Sequence, residues 1–162
     1  MTSGSVEVAY EQSTHVIRLV GDVRLNLCSA LETYVDDILR KGGFENIVID
    51  LSAAEGVDST TLGQLAKISI LCREEFDITP TISSPNEGIT RILLSMGFDQ
   101  VFHIVDTEIN DDATFRRWVV DSVDEECARD QVIDAHKVLM SLNDKNKETF
   151  RELVDTLEAG RR

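Results

Sequence analysis

The sequence predicts an α/β fold: a mixed β-sheet with helices packed against it, followed by a C-terminal α-helical hairpin. Two strand patterns open the chain, and helix and strand patterns then alternate up to about residue 105. A stretch rich in Asp and Glu follows, and two amphipathic helical patterns close the chain. Alternating elements of this kind place helices against a sheet. We therefore expect a sheet domain over residues 1–106, an acidic linker over residues 107–125 and a helical hairpin over residues 126–162.

The opening strands are predicted by alternation. Val6, Val8 and Tyr10 alternate with polar or small residues, which is typical of a half-buried strand. After a polar turn, residues 15–21 return as a second strand, so the two form a hairpin. Apolar residues then recur every three or four positions over residues 27–38, which predicts a helix that ends before a pair of glycines.

A β-branched run at residues 47–51 predicts the buried central strand. Residues 52–56 read as a polar connector, and aliphatic residues at helical spacing follow from Ser59 to about Glu75. Asp58 is of the type that caps helix starts. Backbone N–H groups and the helix dipole favour negative charge there, so a serine at this position could carry a phosphate.

The last elements of the sheet domain are shorter. Residues 78–82 predict a strand whose proline indicates a strand start or an edge position. Residues 84–87 match a capping box with proline at the first helical position, and Gly97 is placed to end that helix. Residues 101–105 predict the final strand.

The acidic segment contains Phe115 and Trp118, which we expect to anchor an otherwise extended linker on the first domain. Helices are then predicted over residues 126–140 and 144–159, joined by a turn at residues 142–144. A lone helical hairpin buries little surface. We expect it to pack on the first domain or to form a homodimer, with docking of a regulator as the alternative.

Composition excludes several partners and compartments. The net charge of −14 argues against nucleic acid and anionic membranes. No apolar stretch reaches the length of a membrane span, and the N-terminus lacks the pattern of a signal peptide. Cys28, Cys72 and Cys127 are scattered and odd in number, so we expect buried, reduced thiols in a cytoplasmic protein.

The motifs of the common enzyme classes are absent from the sequence: there is no phosphate-binding glycine loop, serine-nucleophile elbow, paired-cysteine motif or two-histidine zinc helix. His15, His103 and His136 fall in three separate elements, which argues against a shared metal site. We therefore expect no catalytic residue, no metal and no cofactor. One polar cluster remains, residues 58–61, which is either a simple helix cap or a functional site.

This cluster carries a resemblance to a known family. The strand, the short loop, the run Asp58-Ser59-Thr60-Thr61-Leu62-Gly63 and the aliphatic helix resemble the signature of STAS domains, the fold of anti-sigma factor antagonists. The resemblance covers about residues 5–106, including the element order and residues 95–102 at its close. With residues 21–25, residues 28–31 and the C-terminal hairpin around Ala135-His136, the whole chain is most similar to the longer RssC-type antagonists of γ-proteobacteria.

The resemblance implies a site and a mechanism. In the family the serine directly after the aspartate is phosphorylated, which here is Ser59; Thr61 stands where a glycine or small residue is frequent, so Thr60 and Thr61 are secondary candidates. The implied partner-binding residues are Asp58, Ser59, Thr60, Thr61 and Gln64. The unphosphorylated form would bind an anti-sigma factor or serine kinase, phosphorylation would release it, and a PP2C-type phosphatase, alone or fused to a response-regulator receiver domain, would restore it.

Such a switch would control sigma-factor activity, for example in a general stress or stationary-phase response. The alternative is a STAS module without phosphorylation, which senses a small ligand or serves a membrane-associated complex through residues 55–60. A small enzyme is the third hypothesis, and the lack of a visible nucleophile–base pair argues against it.

Overall fold

A computed structural model describes residues 4–107, 114–119 and 125–160. Its strands are β1 (Ser5–Glu11), β2 (Thr14–Val23), β3 (Asn46–Asp50), β4 (Ala54–Val57), β5 (Thr81–Ser83), β6 (His103–Val105) and β7 (Arg116–Trp118). Its helices are α1 (Cys28–Lys41), α2 (Ser59–Phe76), α3 (Glu87–Ser95), α4 (Glu125–Leu142) and α5 (Asp144–Ala159). The predicted mixed α/β architecture with a C-terminal helical pair is confirmed.

The seven strands form one mixed sheet in the order β6-β5-β3-β2-β1-β7, with β4 paired to β2 off this path. β1 is antiparallel to both of its neighbours, and the remaining pairs are parallel. Branched aliphatic side chains face each other across five strands in register: Val8, Ile17, Ile49, Ile82 and Ile104. The first four lie in the core and Ile104 packs against it, because β-branched residues pack well on a pleated, buried surface.

Strand β4 falls within the predicted polar connector, so that prediction was wrong for residues 54–56. β2 pairs with β3 along its first half and with β4 along its end, and the register shifts between Gly21 and Asp22. Gly21 has φ of 77°, a backbone conformation that glycine adopts without strain. β4 therefore forms because the end of β2, beyond the register shift, offers it a pairing partner, and its own four residues do not determine it.

The capping box predicted at residues 84–87 was also wrong. Asn86 is the N-cap of α3, and its side chain accepts hydrogen bonds from the amides of Gly88 and Ile89. Ser84 is buried, and its own amide donates to the carbonyl of Val105, which continues the ladder between β5 and β6. Because Ser84 continues this ladder, the N-cap falls at Asn86 and α3 begins at Glu87, three residues after Ser84.

The hairpin of α4 and α5 packs on the same chain. The core that contains the sheet also includes Leu139 of α4 and Phe150 of α5. The buried Asn146 donates from Nδ2 to the carbonyls of Met96 at 2.8 Å and Leu139 at 2.9 Å. The turn end of the hairpin is thereby fixed next to the end of α3.

Strand β7 lies in the segment predicted as linker. It pairs with β1, and the Trp118 ring meets Tyr34 edge-on, with 5.0 Å between centroids. The Phe115 ring lies 3.8 Å from the guanidinium carbon of Arg18. Residues 108–113 and 120–124 of the predicted linker lie outside the described residues. Within the described part of the chain, none of the helices combines the length and the apolarity needed to cross a membrane.

Candidate functional site

The start of α2 is fixed by the carboxylate of Asp58. Its Oδ1 accepts from the amide of Thr61 at 2.8 Å, which makes Asp58 the N-cap of the helix. Its Oδ2 accepts from the amide of Leu25 at 2.9 Å, in the short 3-10 helix that precedes α1. Both oxygens are thus engaged in holding α2 at the end of β4.

Ser59 is the first residue of α2, and its side chain is half-buried. Its Oγ lies 2.8 Å from Nε2 of His136 in α4. Nδ1 of His136 lies 2.7 Å from the carbonyl oxygen of Val132, which only accepts hydrogen bonds, so Nδ1 carries the proton. In the neutral imidazole Nε2 is then the acceptor, and the Ser59 hydroxyl donates to it.

The other predicted site residues lie deeper. Thr60, Thr61 and Gln64 are buried, at 6%, 1% and 6% exposure. The hydroxyl of Thr61 is 3.8 Å from the sulfur of Cys28, beneath the helix start. Among the five residues predicted to bind a partner, Asp58 and Ser59 are the two that retain partial exposure.

Helix α4 lies against α2 at very short range. A Cβ built on Gly63 would stand 2.2 Å from the carbonyl oxygen of Ala135, closer than any side chain tolerates. The glycine therefore permits the two backbones to approach, as the absence of a side chain does at other close crossings. With His136 one residue further on, α4 covers the side of α2 that begins at Ser59.

Beyond this contact, α1, α2 and α4 enclose a groove of about 370 Å³. Its walls are mainly polar: Glu32 and Asp36 come from α1, Gln64 and Lys67 from α2, and Asp130, Gln131 and Asp134 from α4. Gln131 bridges the groove, because its Nε2 donates to Ser29 Oγ at 3.0 Å and to Glu32 Oε2 at 3.2 Å.

The thiols do not share one environment. Cys28 and Cys72 are buried, and burial raises the pKa of each from 9.0 to about 11. For Cys28, the hydrogen bond with Thr61 lowers the pKa and nearby carboxylates raise it further. Cys127 is exposed, so the prediction of three buried thiols was wrong for this residue. In the ranges that the structure describes, His, Cys, Asp and Glu side chains form no group of three or more able to hold a metal.

Sequence reasoning missed the partners of Ser59. His136 is 77 residues away in the chain, and no local pattern indicates that it meets α2. Gly63 was noted only as part of the helix signature. A glycine in the middle of a predicted helix is costly unless something approaches closely, and that was the available signal.

Comparison with known proteins agrees with this fold. A protein-family model described as the STAS domain matches residues 5–110. The crystal structure of a candidate anti-sigma factor antagonist from Thermotoga maritima, TM1081, aligns with a TM-score of 0.55 and 24% identity, covering 62% of this chain and 85% of that chain. An NMR structure of TM1081 gives the same TM-score and identity, with 62% and 79% covered. These two alignments show similarity of fold, and helices α4 and α5 lie outside the residues that the family model matches.

Proposed function

The chain belongs to the STAS domain family, and on this basis we propose that it is an anti-sigma factor antagonist that works by partner switching. In its unphosphorylated form it binds an anti-sigma factor or regulatory serine kinase, and so controls the activity of a sigma factor. Phosphorylation of Ser59 ends that binding, and a PP2C-type phosphatase restores it. The similar fold of an antagonist candidate from T. maritima supports the proposal.

The observation that carries it is the position of Ser59. The residue opens α2, next to the capping carboxylate of Asp58, and its side chain is half-buried and not sealed in the core. A phosphoryl group adds about −1.5 to −2 charges and three acceptor oxygens. The helix N-terminus accommodates an anion without unfolding.

The same group weakens a protein interface centred on Ser59. An interfacial charge left without a partner costs about 2–5 kcal/mol. At about 1.4 kcal/mol per decade, this lowers affinity roughly 30- to 4,000-fold. One modification is therefore sufficient to switch the partner.

In this proposal the chain is a substrate and binding protein and has no catalytic residue of its own. Its partners are the anti-sigma factor or kinase and the phosphatase, and it acts in the cytoplasm, for example in a stress response. Thr60 and Thr61 are secondary acceptors that become accessible only if the start of α2 rearranges, because both are buried.

The test is a capture experiment from extracts of the native host with the full chain as bait. Ser59→Ala should retain the anti-sigma protein, which mass spectrometry identifies, and Ser59→Asp should lose it. Incubation of the wild type with the captured kinase and ATP should add one phosphoryl group by intact mass, and Ser59→Ala should remain unmodified.

Ser52→Ala is the matched control, since Ser52 is an exposed serine in the loop before β4. It should be phosphorylated and captured like the wild type. Phosphorylation that persists in Ser59→Ala would move the acceptor to another residue. Equal capture by the Ala and Asp variants of Ser59 would contradict the switch and favour a STAS module that works without phosphate.

A further inference from the structure

The side of α2 that would receive a partner is already occupied by α4. Gly63 meets the backbone of Ala135, and Ser59 donates to the buried His136. Helices α4 and α5 lie beyond the residues matched by the STAS model, so the cover is an addition to the domain of the family. We propose that α4 is a releasable intramolecular cover of α2, held by the Ser59–His136 hydrogen bond, and that an anti-sigma partner must compete with it.

The side of α2 that faces α4 has residue types that are typical of a protein surface. Thr60, Gly63 and Lys67 follow each other at three- and four-residue spacing, Gln64 is next to Gly63, and none of the four has a large apolar side chain. The opposite side carries Leu62, Leu65, Ile68 and Cys72, which are buried in the core of the sheet domain. Polar residues on the helix face opposite the core are usually in contact with water. Removal of α4 would uncover Thr60, Gly63 and Gln64 of α2, none of which has a large apolar side chain.

The contact side of α4 is also polar over its first half. Gln131 reaches Ser29 and Glu32, yet its Oε1 is buried and finds no hydrogen-bond donor among the described residues. A buried acceptor without a donor destabilises the arrangement in which α4 packs on α2. When α4 moves away, this oxygen can accept a hydrogen bond from water. Asp130 and Asp134 of α4 line the same groove as Glu32 and Asp36 of α1 and Lys67 of α2.

Apolar contacts hold the other half of the cover. Leu139 and Phe150 belong to the core, and the His136 ring meets Phe150 edge-on at 4.9 Å. His136 therefore lies between the apolar anchor of the hairpin and its polar half. A phosphate on Ser59 removes the hydroxyl proton that Nε2 accepts and adds bulk within 2.8 Å of the ring. The contact that closes the cover is thus the one that phosphorylation would change.

The first arm of the test measures release without any partner. Hydrogen–deuterium exchange of the full chain should show α4 amides exchanging by local opening, at least about tenfold faster than those of β3. His136→Ala should accelerate α4 by about a further tenfold, from the loss of one buried hydrogen bond, and leave β3 unchanged. His136→Gln, which keeps an acceptor for Ser59, should restore most of the protection.

Two variants complete this arm. Ser59→Ala removes the hydrogen-bond donor and leaves the apolar side chains of α4 unchanged. If His136→Ala folds poorly, exchange of α4 in Ser59→Ala shows whether this hydrogen bond holds the helix in place. His103→Ala, at an exposed position in β6, should exchange like the wild type. If α4 and β3 of the wild type exchange at one common rate, α4 opens only when the whole domain unfolds, and the proposal is overturned.

The second arm rests on the proposed function and uses the protein captured by Ser59→Ala. His136→Ala, with Ser59 intact and unphosphorylated, should bind that protein about tenfold more tightly than the wild type. Unchanged or weaker binding would overturn competition for α2. If no variant captures a partner, the proposed function fails, and the exchange data still decide whether α4 is released.

Discussion

The Ser59 hydroxyl and the imidazole of His136 are joined by a 2.8 Å hydrogen bond across 77 residues of chain. The bond links the start of the helix that carries the STAS signature to a hairpin outside the family match. Nδ1 of His136 is held by Val132, so Nε2 has a fixed orientation toward Ser59. A chemical change at Ser59 therefore acts directly on the packing of the hairpin.

Substitution of Asp58 should destabilise the domain independently of any partner. Asp58→Ala removes the acceptor of both the Thr61 and the Leu25 amide, so we expect the free energy of unfolding to fall by about 1–2 kcal/mol. Urea unfolding measures it. Glu74→Ala, at an exposed position of the same helix, should change it by less than about 0.5 kcal/mol. Equal stability of the two variants would show that the cap is dispensable.

Gly63→Ala should destabilise the chain even though alanine favours helices by up to about 1 kcal/mol over glycine. The new Cβ would lie 2.2 Å from the carbonyl oxygen of Ala135, and separation of the helices should cost about 1–3 kcal/mol net. Thermal unfolding measures the change. Gly56→Ala is the control, because the nearest atom to its Cβ is at an ordinary 3.6 Å. A Gly63→Ala variant as stable as the wild type would exclude a close α2–α4 contact in solution.

The three thiols should react in two classes. Cys127 is exposed, whereas Cys28 and Cys72 are buried and have pKa values raised to about 11, so they remain protonated at neutral pH. We expect iodoacetamide to label Cys127 in the folded protein and all three residues in denaturant. Peptide mapping by mass spectrometry identifies the sites. Rapid native labelling of Cys28 would mean that the region beneath the start of α2 opens.

His15 should make the domain less stable in mild acid. Its Nδ1 lies 2.9 Å from the hydroxyl oxygen of Tyr34, and burial lowers its pKa below 6.5, against a smaller raising effect of Asp37. The unfolded chain then binds the proton more readily, so the stabilisation is present above about pH 6.5 and is lost as the pH falls through the folded-state pKa.

The comparison of His15→Gln with the wild type isolates this effect. Between about pH 8 and pH 5, urea unfolding should show a smaller loss of stability for His15→Gln than for the wild type. His103→Gln, at the exposed edge strand, should lose as much as the wild type. An identical pH dependence in His15→Gln would contradict the assignment.

Local sequence patterns were sufficient to predict the elements whose own residues show a clear hydrophobic periodicity. The hairpin of β1 and β2, strand β3, helix α2 and helix α5 occur close to their predicted bounds, because alternation and helical spacing are written into consecutive residues. Asn143 caps α5 at the turn predicted from residues 142–144. The similarity to RssC-type proteins and the division of the chain into domains remain predictions.

Elements specified by distant partners were missed. β4 exists because the bent end of β2 offers it a neighbour, and β7 exists because β1 has a free edge. Neither short strand has a strong propensity of its own. The contact of Ser59 with His136 is of the same kind, since two polar residues meet through the packing of whole helices. Sequence alone indicated the residue type at the start of α2, and tertiary structure determined what covers it.

Strand β7 also limits where the hairpin can move. Trp118 is paired with Val6, and α4 begins at Glu125, seven residues further along. A chain of that length spans at most roughly 25 Å. A detached α4 therefore remains tethered within that reach of β7, at an effective concentration that reaches the millimolar range for short connections. A competing protein meets a concentration threshold set by this tether, so under the proposed function the chain would respond to abundant partners and ignore scarce ones.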